Sequence, residues 1–213
     1  MNHPLHLLAL LLVAFSGSIH ADAVPTSEWA FRVSLDDKEI GRQYFRLHDG
    51  DGLVRLETRA DFAVKILLAT VYRYEHTNVE TWDGECLAAV ESRTDANGEP
   101  FFVLGERKSG FFSVSGTAGE ARLPECVMSF AYWNPRFLQS SRLLNTQNGE
   151  YVEISVSEPT RDRRIVRGEQ IEALRYRLQA GEIDMQIWYS LDDRWLGLES
   201  KTQGDRTLRY ELM

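Results

Sequence analysis

The sequence predicts a mainly β protein: a curved antiparallel sheet or half-open β-barrel with one short helical lid. Three observations predict it. Apolar and polar residues alternate with period two over most of the chain, short turn signals separate these runs, and no strand–helix–strand alternation occurs. Period two gives each strand one wet and one dry face. Tight turns between such strands make antiparallel hairpins rather than a parallel sheet.

The first strand is Trp29 to Leu35, where odd positions are large and apolar. Asp36-Asp37 turns the chain into Lys38–Arg46, where Gly41 suits a bulge or sharp bend. Asp49-Gly50-Asp51-Gly52 leads into Val54–Phe62, whose even positions are apolar or small. That Asp-Gly run reads as a turn, because the later glutamate of a calcium loop is missing. Ala63 to Tyr74 is apolar in both phases apart from Lys65 and Arg73, so it is expected as a strand covered on both faces. A short helical reading exists for Leu67-Leu68-Ala69, but the β-branched and aromatic content favours strand. Asn97-Gly98 and Ala118-Gly119 mark two further corners.

Ser129 to Asn145 breaks the alternation. Phe137, Leu138, Leu143 and Leu144 have helical spacing after Pro135, a residue suited to a first helical turn. This segment is the expected lid. Alternation returns at Val152–Val156, Leu174–Leu178, Ile183–Tyr189 and Leu208–Leu212, punctuated by Ala180-Gly181, Asp192-Asp193 and Gly204-Asp205. The Arg161–Arg164 cluster after Pro159 reads as a solvated loop, or as a contact for an anionic head group or acidic partner.

Residues 1–23 read as a secretory leader: an apolar run from Leu5 to Phe15, then small residues, then Ala21-Asp22-Ala23 as the cleavage pattern. The run falls well short of the roughly 20 residues needed to span a bilayer. No Cys lies near the cleavage pattern, which argues against a lipid anchor. Residues 24–213 are expected to form a single antiparallel β domain. In an oxidising compartment Cys86 and Cys126 are expected to bond to each other, the alternative being two buried thiols. The loop they close is worth about 4 kcal/mol.

The net charge of −8 disfavours nucleic acid and anionic lipid surfaces as partners. Catalytic and metal-binding patterns are absent: no Gly-x-Ser-x-Gly elbow, no HExxH, no CxxC and no glycine-rich phosphate loop. Of five histidines only His48 and His76 follow the leader, and both are expected to be solvated at turns or strand ends. The 32 acidic residues offer many carboxylate pairs, and the sequence selects none of them. No cofactor or metal is expected.

The aromatic residues carry the positive signal. Trp82, Tyr132, Trp133, Trp188 and Trp195 fall near turns, strand ends or the irregular segment. Trp188 takes the wet phase of its strand while Tyr189 takes the dry one. A tryptophan there needs cover. The cover is either the Ser129–Asn145 segment or a ligand, in an apolar cavity or as a sugar ring stacked on the indole.

Three stretches carry a resemblance: Lys38–Arg46, Glu80–Leu87 with Thr94–Gly98, and Ile187–Tyr189 with Arg194–Leu198. Through them the chain resembles an uncharacterised domain-of-unknown-function family of exported proteobacterial proteins, over most of residues 28–212. Its style is similar to the lipoprotein-carrier and lipoprotein-receptor half-barrels of the periplasm, which hold a helical lid over an apolar hollow. The two-cysteine loop is not a feature of those carriers. The resemblance implies fold and compartment and names no catalytic residue.

The resulting expectation is a non-catalytic periplasmic protein that binds a lipid or other apolar small molecule inside the curved sheet. Tyr132, Trp133, Trp188 and Tyr189 would line the site, with Arg136 near a head group. The alternative is a cell-envelope structural or assembly factor that binds a protein partner. A third reading, a hydrolase or isomerase of envelope lipids or glycans, would need two acids converging in a concavity.

Overall fold

The computed structural model describes residues 26–66 and 69–213. The expected leader over 1–23 and the helical reading at Leu67-Leu68 lie outside the described residues. Eight strands follow one another as hairpins: β1 (Ser27–Leu35), β2 (Lys38–Gly50), β3 (Leu53–Ile66), β4 (Ala69–Asp83), β5 (Cys86–Ala96), β6 (Glu99–Lys108), β7 (Phe111–Gly116) and β8 (Gly119–Leu123). An irregular segment follows, with a 3-10 turn at Pro135–Gln139 and a small ribbon of β9 (Arg142–Leu144) and β10 (Tyr151–Glu153). The chain then rejoins the sheet as β11 (Ser155–Val156), β12 (Thr160–Val166), β13 (Glu169–Ala180), β14 (Ile183–Ser190), β15 (Trp195–Lys201) and β16 (Thr207–Leu212).

These strands form one 14-stranded antiparallel sheet in the order β11-β13-β14-β15-β16-β1-β2-β3-β4-β5-β6-β7-β8, with β12 also on β13. The first and last strands meet in its middle, Val33 opposite Tyr210. Among the described residues the sheet does not close into a barrel. It curls, because Val103 and Phe112 of β6 and β7 share one core with Leu178 and Ile187 of β13 and β14, many strands away. What they share is the irregular segment, whose Val127, Phe137, Leu143 and Leu144 are fully buried inside the curl. Burying such side chains is worth about 1.5–3 kcal/mol each. The expected lid is therefore a plug held by a single 3-10 turn, capped by the Asn134 side chain.

Two glycines let the strands cross closely at bulges. A Cβ on Gly41 would lie 2.0 Å from the Asp61 carbonyl oxygen, next to the register shift at Val33/Ser34. A Cβ on Gly197 would lie 2.5 Å from the Tyr210 carbonyl oxygen, beside the shift at Trp188/Tyr189. Cys86 and Cys126 form a disulfide that ties the start of β5 to the start of the plug. Leu87 N–H donates to the Val127 carbonyl beside it, at 2.9 Å. Such a bond fits an exported protein. No helix of the described residues is long and apolar enough to cross a membrane.

Two expectations are corrected here. Residues 63–66 and 69–74 are not one doubly covered strand but the facing ends of β3 and β4, where Val71 is 47% exposed. The unpolarised pattern reflects a hairpin end rather than burial on two sides. Arg161–Arg164 is no loop: it lies in β12, paired antiparallel with β13, because Asp162 and Arg164 turn onto Trp188.

Candidate functional site

The dry face of β4 carries polar side chains. Tyr74, His76, Asn78, Glu80 and Trp82 share one phase and point into the curl, and only the two ends are aromatic. Across the ladders lie Thr58 on β3 and Ser92 and Thr94 on β5, also buried. A buried polar group without a partner is costly, so this stripe builds its own network. Glu80 Oε1 accepts from Asn78 Nδ2 and from Ser129 Oγ of the plug, both at 3.0 Å. Glu80 Oε2 accepts from Trp82 Nε1 at 3.0 Å. His76 Nδ1 lies 2.8 Å from Thr94 Oγ1, and Ser92 bonds the Thr146 carbonyl of the plug.

Glu80 is 3% exposed. Burial pushes its carboxyl above the usual carboxylate range, although Asn78, Ser129 and Trp82 each pull it down. Burial also lowers the His76 imidazole to about 4, so it is neutral at physiological pH. The phenols of Tyr74, Tyr132 and Tyr210 are raised, again chiefly by burial, and stay neutral.

This stripe walls a chamber of about 210 Å³, closed on the plug side by Phe130, Tyr132, Trp133 and residues 145–147. Its volume equals about seven waters' share of liquid water. Next to it, at the open end of the curl, is a mouth of about 610 Å³ lined mainly by Leu35, Ile40, Phe62, Val64, Val71 and Leu208, with Arg206, paired with Asp36, as the one cation of its wall among the described residues. Mouth and chamber share Tyr74, Gln147 and Tyr210 as a common wall. Tyr74 Oη donates to Gln147 Oε1 across it at 3.1 Å. Among the described residues no group of three or more His, Cys, Asp or Glu side chains is placed to hold a metal ion.

The sequence model of one family, the domain of unknown function DUF6134, matches residues 31–213. The chain belongs to the DUF6134 family. No curated protein matches the sequence. Among solved structures, this DUF6134 chain is similar to the crystal structure of a beta-barrel-like protein of domain of unknown function DUF1849 from Brucella abortus. The TM-score is 0.62 at 10% identity, over 87% of this chain and 94% of that chain. At that identity the likeness shows the fold alone.

Within this DUF6134 fold the sequence-predicted site residues divide. Tyr132 and Trp133 line the chamber. Tyr189 lies beside them in the core, its hydroxyl donating to the Tyr132 carbonyl at 2.6 Å, and does not line the chamber. Trp188 sits on the opposite face of β14, in a separate cluster with Ala173 and Leu196. Its cover is neither ligand nor plug. The Arg164 guanidinium stacks 4.1 Å from its ring centre, and its Nε1 donates to Asp162 at 2.9 Å. Arg136 is exposed and paired with Glu85 near the disulfide, away from the chamber.

The sequence reading missed His76, Asn78 and Glu80. His76 is buried in mid-strand rather than solvated, and His48 is half-buried within β2. The signal was present: polar residues two apart, in phase with the flanking aromatics Tyr74 and Trp82.

Proposed function

We propose that this protein is an exported, non-catalytic periplasmic binding module that takes an amphipathic small molecule at the open end of its shell. The apolar part lies in the mouth and a hydrogen-bonding end reaches the chamber. One observation carries this reading: an apolar recess and a buried polar one share a wall of three side chains. The mouth falls in the ~300–1,000 Å³ range of small-molecule sites, and the chamber alone is below it. A long acyl chain running down the axis is disfavoured, because Phe31, Trp82 and Phe137 fill the interior beyond. The disulfide and the leader pattern support the compartment.

The test is uptake of a fluorescent single-tailed amphiphile by the purified, disulfide-bonded protein. Binding is expected, and Ile40→Asp, which puts a charge in the mouth, should abolish it while circular dichroism stays unchanged. A folded wild-type protein that takes up no amphiphile sinks the reading. The assembly-factor reading draws support from Phe102 and Leu104, 50% and 49% exposed on one face of β6. Cross-linking in cells from position 104 to one defined envelope protein would favour it.

A further inference from the structure

We infer that the chamber receives the cationic end of an amphipathic amine, an ammonium group framed by Tyr74, Tyr132, Trp133 and Tyr210 and neutralised by the Glu80 carboxylate. This rests on the amphipathic-guest reading and names the chemistry of the guest.

The charge balance of the chamber comes first. Glu80 is the one acid among its lining residues, which include no Lys or Arg. Among the described residues Glu80 makes no ion pair with any cation of the chain. Yet its hydrogen bonds suit the ionised form. Trp82 Nε1–H can only donate, and it occupies one oxygen, while the Asn78 amide N–H and the Ser129 hydroxyl occupy the other. A carboxylate accepts all three as they stand, whereas in the protonated acid the Ser129 hydroxyl must turn from donor to acceptor. The donors prepare a negative charge, and the burial lacks a positive one. A cationic guest supplies it.

The rings come second. Phe45, Tyr74, Phe130, Tyr132, Trp133 and Tyr210 all line the chamber. Trp133 meets Trp82 edge-on at 5.8 Å and Tyr132 lies tilted against Phe130 at 6.4 Å, while Tyr74 stacks on Phe62 at 5.4 Å. Aromatic faces carry negative quadrupole charge and attract ammonium groups. The same faces, together with Glu80, repel a carboxylate or phosphate. Two atoms of the chamber wall are buried without partners, Asn78 Oδ1 lacking a donor and Trp133 Nε1 lacking an acceptor; an ammonium N–H answers the first and not the second. The chain's formal charge of −8 also draws cations toward it.

When the guest enters a chamber whose Glu80 holds a proton, that proton leaves to solvent and the ion pair forms. No covalent bond changes. For a guest to span both recesses, the Tyr74–Gln147 hydrogen bond must part and re-form around it.

Isothermal titration of the disulfide-bonded protein with three probes of one tail tests this: decylammonium, decanol and decanoate. The cation should bind at least about tenfold more tightly than decanol, with decanoate weakest. Glu80→Gln should bring the cation down to the level of decanol without changing decanol itself. Trp133→Leu leaves the acid in place, and should weaken the cation about threefold more than it weakens decanol. Equal affinities for decanol and the cation, in a protein that binds both, overturn this inference and leave the amphipathic reading standing. Binding of none of the three overturns both. Dodecylphosphocholine tells a lipid head group from a free amine: matching the simple cation assigns the former, weaker binding the latter, and either result supports the cationic site.

Discussion

Trp82 Nε1–H donates to Glu80 Oε2 at 3.0 Å, from two residues further along the same inward face of β4. A fully buried indole thus anchors a buried acid, and the strand's own period supplies the geometry. This pair marks the transition from the packed half of the shell to its polar chamber.

Glu80 should make the folded protein less stable as pH rises. Its carboxyl is raised above 4.5 in the fold, so the folded state favours the protonated acid. The contribution is fully present below pH 4.5 and is lost as pH climbs through the folded value. Melting curves of wild type and Glu80→Gln, compared from pH 4 upward, should diverge in favour of the variant. Parallel curves would refute the buried, unpaired acid.

His76 should act in the opposite direction. Its imidazole falls from 6.5 to about 4 on folding, because burial penalises the charged form. Its contribution is complete above pH 6.5 and is lost as pH drops toward 4, a change of about 3 kcal/mol. His76→Gln should remove that acid sensitivity. The His76 ring proton signal in the native protein should not titrate above pH 5. A midpoint near 6.5 would place the ring in solvent. Because Glu80 and His76 oppose each other as pH rises above 4.5, single variants are the informative comparison.

Opening the Cys86–Cys126 disulfide, whose partners are 40 positions apart, should cost about 4 kcal/mol. The bond tethers the plug at its entry, so amide exchange at Val127, Leu143 and Leu144 should accelerate before exchange in β3 and β4. An unchanged melting temperature in the Cys86→Ser, Cys126→Ser double variant would show that packing alone holds the plug.

Trp188→Phe should cost about 1 kcal/mol, since Asp162 loses the indole N–H while the ring under Arg164 is largely kept. Amphiphile uptake should be unchanged, because this residue faces away from the chamber. Lost uptake in a stable Trp188→Phe protein would contradict the assignment of the two faces.

The alternation made most of the fold readable. Asp36-Asp37, Asn97-Gly98 and Asp192-Asp193 sit at hairpin turns, and the opposite phases of Trp188 and Tyr189 were correct in sequence. Gly41 was readable as a bulge site, although not what it clears. The candidate site was less legible. Tyr132 and Trp133 stood out as aromatics in an irregular segment, but the cover over Trp188 comes from β12, which pairs with β13 and looked like a charged loop. His76 and Glu80 were set aside because a polar residue is, in most strands, a solvated one.

By itself the sequence determined local things: strand period, turn chemistry and which residues of β14 oppose one another. Each depends on neighbours a few positions apart. Tertiary structure alone decided that Ser129 reaches Glu80 across 49 positions and that Tyr74 meets Gln147 across 73. It also decided that β16 pairs with β1, so that Tyr210 joins both recesses. A buried acid and its ring of aromatics come together only once the sheet curls and the plug descends, because desolvation depends on what covers a side chain and not on what precedes it.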